Sequence, residues 1–229
     1  MQVIPGVHQV TVRKANIFLI CEEQITIIDA GFRGSAKKIA RFLDNLGRSI
    51  EEVSLIIITH NHLDHIGGLP GLHEMTSARI AVHNADLSYS EKGLPYGGFI
   101  RLLLKIPGVT LFWPLVYARP GDVDIQLEGG EVLNLLGGME VIHTPGHTPG
   151  SISLFSPQKK LLIVGDILNS GHRELHLTPR PVSSDVSQAR ESVKQLAKLD
   201  FDILCCGHGR PIIGGASVVL RDWIKRKGF

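Results

Sequence analysis

The sequence predicts an α/β protein, a four-layer αββα sandwich in which two mixed β-sheets pack face to face with helices on the outside. Three observations carry this. Strand-like runs fall into two stretches, each followed by a helical pattern. Val53 to Thr59 is a continuous apolar run too short for a helix. With 43% hydrophobic and 20% charged residues over 229 positions, the composition is that of a globular chain with material for one core.

The elements follow in order. Val7 to Val12, Asn16 to Cys21 and Gln24 to Asp29 read as strands, the last rich in β-branched Ile25, Thr26, Ile27 and Ile28. Ser35 can cap a helix whose apolar residues Ile39, Phe42, Leu43 and Leu46 repeat on one face, and Gly47 stops it. Val53 to Thr59 is an inner strand covered on both sides, ending at His60. A helix near Gly68 to Met75 and a strand from Arg79 to His83 close the first half. Residues 85–122 break the rhythm and read as an insertion in a single domain spanning 1–229. The second half repeats the pattern with strands near Val123 to Leu127, Glu131 to Leu135, Met139 to Thr144, Ser151 to Phe155 and Lys160 to Gly165. A long loop is expected after Asp166. A helix from Val186 to Leu199 follows, capped by Ser184 or Asp185, then a strand from Phe201 to Cys206 and a last helix marked by Val219, Leu220, Trp223 and Ile224.

Composition narrows the function. The formal charge is +2, from 24 Lys+Arg and 22 Asp+Glu, so no nucleic-acid partner is expected. The basic run Arg221, Lys225, Arg226 and Lys227 reads as the solvated face of a terminal helix. Cys21, Cys205 and Cys206 form neither a C-x-x-C pair nor a disulfide framework, which points to a reducing, cytoplasmic setting. Residues Met1 to Val10 do not read as a signal peptide. The apolar stretch Phe99 to Tyr117 is interrupted by Arg101, Lys105, Pro107 and Pro114, so no membrane span is expected.

Chemistry concentrates at strand ends. His60-Asn61-His62-Leu63-Asp64-His65 puts three imidazoles and a carboxylate into six residues directly after the buried strand. His147 sits in the Pro/Gly-fixed turn Pro145 to Gly150, Asp166 follows another strand, and His208 follows the last. Imidazole and carboxylate ligands without thiolate suit zinc, iron, manganese or nickel, and these seven are more than one ion can use. Two divalent ions are therefore expected, zinc first and iron or manganese as alternatives. Such a pair acidifies water and polarises a carbonyl or phosphoryl oxygen, so hydrolysis without a side-chain nucleophile is predicted. No G-x-S-x-G elbow competes with that reading.

The segments T-H-N-H-L-D-H-I-G-G, H-T-P-G-H-T-P-G-S, V-G-D and C-G-H-G resemble those of the metallo-β-lactamase-fold hydrolases, over nearly the whole chain. The resemblance implies that fold. It assigns His60, His62 and His147 to one metal, Asp64, His65 and His208 to the other, and Asp166 to the bridge, with a bridging hydroxide as nucleophile. Asp29, in I-I-D-A-G, matches an early aspartate of the family. It reads equally as a partner that orients the histidine loop or as a strand-ending turn residue.

Within the family, P-G-H-T-P-G-S is most similar to the glyoxalase II-like thioesterases, although the stretch after His208 is too short for their helical glutathione domain. Lactonases that bring a tyrosine after the bridging aspartate are weakened, because residues 169–185 contain none. The di-iron members resemble H-x-E-x-D-H, whereas His62 stands at the second position here. The expected reaction is hydroxide attack on the carbonyl of a thioester, ester or lactone with an apolar portion, with Asp64 or metal-bound water protonating the leaving group. Alternatives are a persulfide dioxygenase with one iron, a phosphodiesterase or nuclease, and a non-catalytic metal-binding scaffold. Phe99, Ile100, Leu102, Leu103, Leu104, Phe112, Trp113 and Tyr117 would form either a lid over a small-molecule substrate or a homodimer contact. His172, Arg173, His176 and Arg180 could meet a substrate carboxylate, whereas His8, His73, His83 and His143 read as structural.

Overall fold

The computed structural model describes residues 1–87, 123–171 and 174–229. Seven strands form the first sheet, in the order β1 (Gln2–Ile4), β2 (Val7–Val12), β3 (Ala15–Cys21), β4 (Ile25–Ile28), β5 (Val53–Ile57), β6 (Arg79–His83) and β7 (Ile125–Leu127). The β1 to β4 meander is antiparallel, and β4 to β7 are parallel. The second sheet contains β8 (Val132–Leu133), β9 (Met139–His143), β10 (Ile152–Ser156) and β11 (Leu161–Ile163), followed outward by β14 (Ile203–Cys205) and β15 (Ile212–Ile213). A separate hairpin pairs β12 (Leu168–Ser170) with β13 (Leu175–Leu177).

Side-chain alternation along the strands builds the layers. On β3, Phe18 and Ile20 point between the sheets and pack with Met139, Val141, Leu154 and Ile163. Ile17 and Leu19 point the other way and join Ile39 and Leu43 of α1 (Ser35–Asp44) and Leu69 and Leu72 of α3 (Leu69–His73). On the far side, Leu162 and Leu204 meet Val193 and Leu196 of α4 (Val186–Leu196) and Leu220 and Trp223 of α5 (Ala216–Lys227). Three apolar clusters between four layers give the expected αββα sandwich.

Several local expectations are corrected. Val123 to Leu127 does not open the second half: β7 adds to the first sheet beside β6, with Ala81 opposite Ile125, and Asp124 accepts a hydrogen bond from the Ile80 N–H. The first helix ends at Asp44, and its N-cap is Gly34 in the left-handed region without a side-chain cap; Ser35 lies buried inside the first turn. Leu46, beyond the helix, is 39% exposed rather than part of the buried face. The helix expected near Gly68 to Met75 is α3, and a further short helix, α2 (Leu63–Ile66), precedes it. They break at Gly67 and Gly68, where a side-chain carbon on Gly68 would overlap the Ala30 carbonyl oxygen. The segment after Asp166 is the β12–β13 hairpin and a 3₁₀ turn at Arg180–Val182 rather than a long loop. The insertion lies outside the described residues beyond Leu87, as do its apolar wall and His172 and Arg173. Among the described residues, no helix is long and apolar enough to cross a membrane.

Asp185 caps α4, its carboxylate accepting from the N–H groups of Ser187 and Gln188. Asp185→Ala is expected to lower stability by about 1 kcal/mol, measured as a shift in the urea midpoint at unchanged slope.

Candidate active site

The site forms where four loops leave the two sheets at one end. After β5 the chain turns at Thr59 and enters α2; the turn delivers His60 and His62, and the helix Asp64 and His65. The turn between β9 and β10 brings His147, the exit of β11 brings Asp166, and the exit of β14 brings His208. These seven residues make two groups, His60/His62/His147 and Asp64/His65/Asp166/His208, with the candidate ligand atoms of each group all within 4.8 Å of one another. Residues up to 148 positions apart in the chain thus converge, as the motif spacing anticipates.

The groups touch at Asp166. Its Oδ2 lies 3.1 Å from His208 Nε2 and 3.9 Å from His147 Nε2, and its Oδ1 lies 3.5 Å from His65 Nε2. Asp64 Oδ2 is 3.2 Å from His208 Nε2. In the first group the imidazole centroids are 4.4 to 4.9 Å apart.

Hydrogen bonds on the outer nitrogens set the tautomers. The Thr59 hydroxyl donates to Asp29, so the same oxygen accepts from His60 Nδ1 at 3.1 Å. His65 Nδ1 donates to Asp29 Oδ2 at 2.8 Å, and His208 Nδ1 donates to the Lys14 carbonyl at 2.9 Å. Ser183 Oγ donates to the Thr178 carbonyl and accepts from His147 Nδ1 at 3.4 Å. In each case Nε2 is left facing the centre. Asp29 therefore orients the histidine loop from beneath, at a left-handed φ of 63° that aspartate tolerates better than most residues. It is also the strand-ending turn residue, so both sequence readings of Asp29 describe the same side chain.

A cation fits this donor set. His60 Nε2, His65 Nε2, His147 Nε2 and Asp166 Oδ1 are buried without a hydrogen-bond partner, and four such orphans in one spot are costly unless a ligand satisfies them. The charges agree. Burial and the neighbouring imidazoles hold His60 and His147 well below the ordinary histidine range, so these two present neutral donors. Burial also opposes charge on His65, but the carboxylates of Asp29 and Asp166 prevail and raise it well above that range. His208 is pushed up to about 10 by Asp166 and Asp64 against its own desolvation. Burial alone would raise Asp166, yet His65 and His208 hold its carboxyl well below the usual range.

Sequence reasoning missed Asp86, which it placed inside the insertion. Asp86 is 1% exposed, in a helical turn at 84–87 just past β6, and its carboxylate binds the two histidine loops of the first group. Burial raises its pKa to about 6 against the hydrogen bonds from Thr148, Asn61 and Gly150. The available signal was an aspartate following a strand end, the pattern that marks Asp166. His83 and His143 are structural as expected: their rings stack at 4.1 Å and hydrogen-bond the carbonyls of Glu128 and Pro149. His176 and Arg180 are exposed on the hairpin and the following turn.

A strand-end pocket of five histidines and two aspartates on an αββα sandwich defines a class of metal-dependent enzymes, and comparison with known proteins agrees. Residues 10–208 match the family model of the metallo-beta-lactamase superfamily. The chain belongs to that superfamily, and so to the metallo-hydrolases. It is 31% identical to the probable metallo-hydrolase YflN of Bacillus subtilis, over 91% of this chain and 86% of that one. Hydroxyacylglutathione hydrolase GloC of Haemophilus influenzae is 28% identical, over 91% and 90% of the two chains. A metallo-beta-lactamase family crystal structure from Thermus thermophilus superposes with a TM-score of 0.74 at 21% identity, covering 99% of this chain and 80% of that one, which speaks for the fold.

Proposed function

We propose that the protein is a two-metal hydrolase that cleaves the thioester, ester or lactone bond of a small molecule with an apolar portion. The observation that carries this reading is the meeting of the two ligand groups at Asp166, whose two oxygens face His65 on one side and His147 and His208 on the other. His60, His62 and His147 would hold one ion and Asp64, His65 and His208 the other, with Asp166 shared between the two groups. Divalent ions held there, zinc foremost, would supply acidified water and a polarised carbonyl oxygen near neutral pH.

The chain's own groups do the rest. Asp29, Thr59, Ser183 and the Lys14 carbonyl hold His60, His65, His147 and His208 with Nε2 pointing inward. Asp64 is the partly open carboxylate of the set, with its side chain 25% exposed. Burial works to raise its pKa, but His208 keeps it below the usual range, so it carries no proton at rest. It can therefore take the proton of the attacking water at Oδ2 and return it to the leaving group. The GloC likeness supports a thioester among the candidate bonds, and the free cysteines Cys21, Cys205 and Cys206 support a reducing, cytoplasmic setting.

The test is elemental analysis of the purified protein together with a screen of thioesters, esters and lactones. About two equivalents of zinc per chain are expected, with turnover abolished by a chelator and restored by zinc. Metal-loaded protein inert toward all three classes would overturn the proposed reaction, and inertness toward phosphodiesters and β-lactams as well would favour a scaffold. A single iron with oxygen uptake on persulfide would overturn it in favour of a dioxygenase.

A further inference from the structure

We propose that Asp86 is a positioning residue for the His60/His62/His147 group, and that it sets the metal affinity of that group without setting that of the other. The inference rests on the two-metal reading and adds a division of labour between buried aspartates. The Asn61 N–H, between His60 and His62, donates to Asp86 Oδ2 at 2.9 Å. The hydroxyl of Thr148, next to His147, donates to the same oxygen at 2.8 Å. Farther along that loop, the Gly150 N–H donates to Asp86 Oδ1 at 2.6 Å. One carboxylate thus ties together the two loops that must approach each other for three imidazoles to share an ion.

The packing permits little slack. A side-chain carbon on Gly150 would lie 2.5 Å from the Asp86 nitrogen and 2.7 Å from its Cγ, so the loop is seated directly on the aspartate. The His143 ring donates to the Pro149 carbonyl at 2.8 Å and fixes the same loop from the sheet side. Among the described residues, none of the hydrogen bonds to the Asp86 side chain comes from the loops carrying Asp166 or His208. Asp29 differs, since it holds His65 directly and reaches His60 through Thr59.

Chemistry makes the substitutions graded. Asparagine at this position keeps the shape but turns an amide NH₂ toward one of two backbone N–H donors, so it loses one of the backbone contacts and keeps the other. Alanine releases both loops.

The experiment is competition for zinc against a chromogenic chelator, which resolves the equivalents bound by the wild-type protein, Asp86→Asn and Asp86→Ala. The wild type is expected to bind two. Asp86→Ala is expected to weaken one of them by about 10–100-fold, the range for lost partners of metal ligands, and Asp86→Asn by less. The other equivalent should stay within about threefold. Anomalous diffraction at the zinc edge from crystals grown at limiting zinc should show the lost peak at His60, His62 and His147. Equal weakening of both equivalents, no weakening, or loss of the peak at His65 and His208 would each overturn the proposal, even if the melting temperature falls. Should Asp86→Ala fail to fold, Thr148→Val, which removes only the hydroxyl donor, gives the same comparison. A wild-type protein that binds fewer than two equivalents overturns the two-metal reading itself, before any variant is made.

Discussion

Asp166→Asn is expected to lower kcat by about 10³-fold or more and to leave the protein with at most one tightly bound metal. Asparagine matches the shape of aspartate, so the fold should survive, but its NH₂ cannot ligate and its amide carries no charge. Asp166 is within 3.9 Å of imidazoles from both groups, so its loss removes a ligand from each proposed ion at once. Lewis-acid stabilisation and water activation by metal supply several kcal/mol, and about 4 kcal/mol corresponds to three powers of ten in rate. Elemental analysis beside steady-state kinetics checks both parts. Full activity with two bound ions would show that Asp166 does not bridge.

Asp29→Ala should be the most destabilising substitution near the site, by about 3–5 kcal/mol in urea unfolding of the metal-free protein. Three buried donors, the Thr59 N–H, the rotatable Thr59 hydroxyl and His65 Nδ1–H, would lose their acceptor, at about 1–3 kcal/mol for each left unpaired. The backbone adds to the loss, because φ at position 29 is 63° and alanine is disfavoured there by about 1 kcal/mol. Asp29→Asn should recover part of the loss, since asparagine tolerates this conformation and keeps one acceptor. Both variants should also bind zinc more weakly, by about 10–100-fold, because His65 loses its orienting partner. A loss of stability under 1 kcal/mol for the alanine variant would mean that the structure relaxes around the site.

The two aspartates that support the histidines were unequally visible. Asp29 stands at the end of an alternating strand, in a motif with a family counterpart, so it could be named in advance. Asp86 was harder to name, because its partners lie 25, 62 and 64 residues away and its one local signal, a place just after a strand end, is shared with many solvent-exposed aspartates. The same contrast runs through the elements. Val53 to Ile57 and α4 were legible from apolar run and apolar repeat, since burial of one face or both leaves its mark on neighbouring residues. The two-residue edge strand β15, the β12–β13 hairpin and the transfer of β7 to the first sheet have no such mark; pairing with a distant strand decides them.

What this chain's residues dictate locally is therefore the list of ingredients: strands and helices from periodicity, and seven metal-binding side chains from their chemistry and their clustering at strand ends. Assembly is where tertiary contact rules. The tautomers of His65, His147 and His208, the placement of Asp166 between both groups, and the seat that Asp86 makes for two loops all depend on contacts between segments far apart in sequence, and short-range pattern carries no record of a partner that only folding brings near.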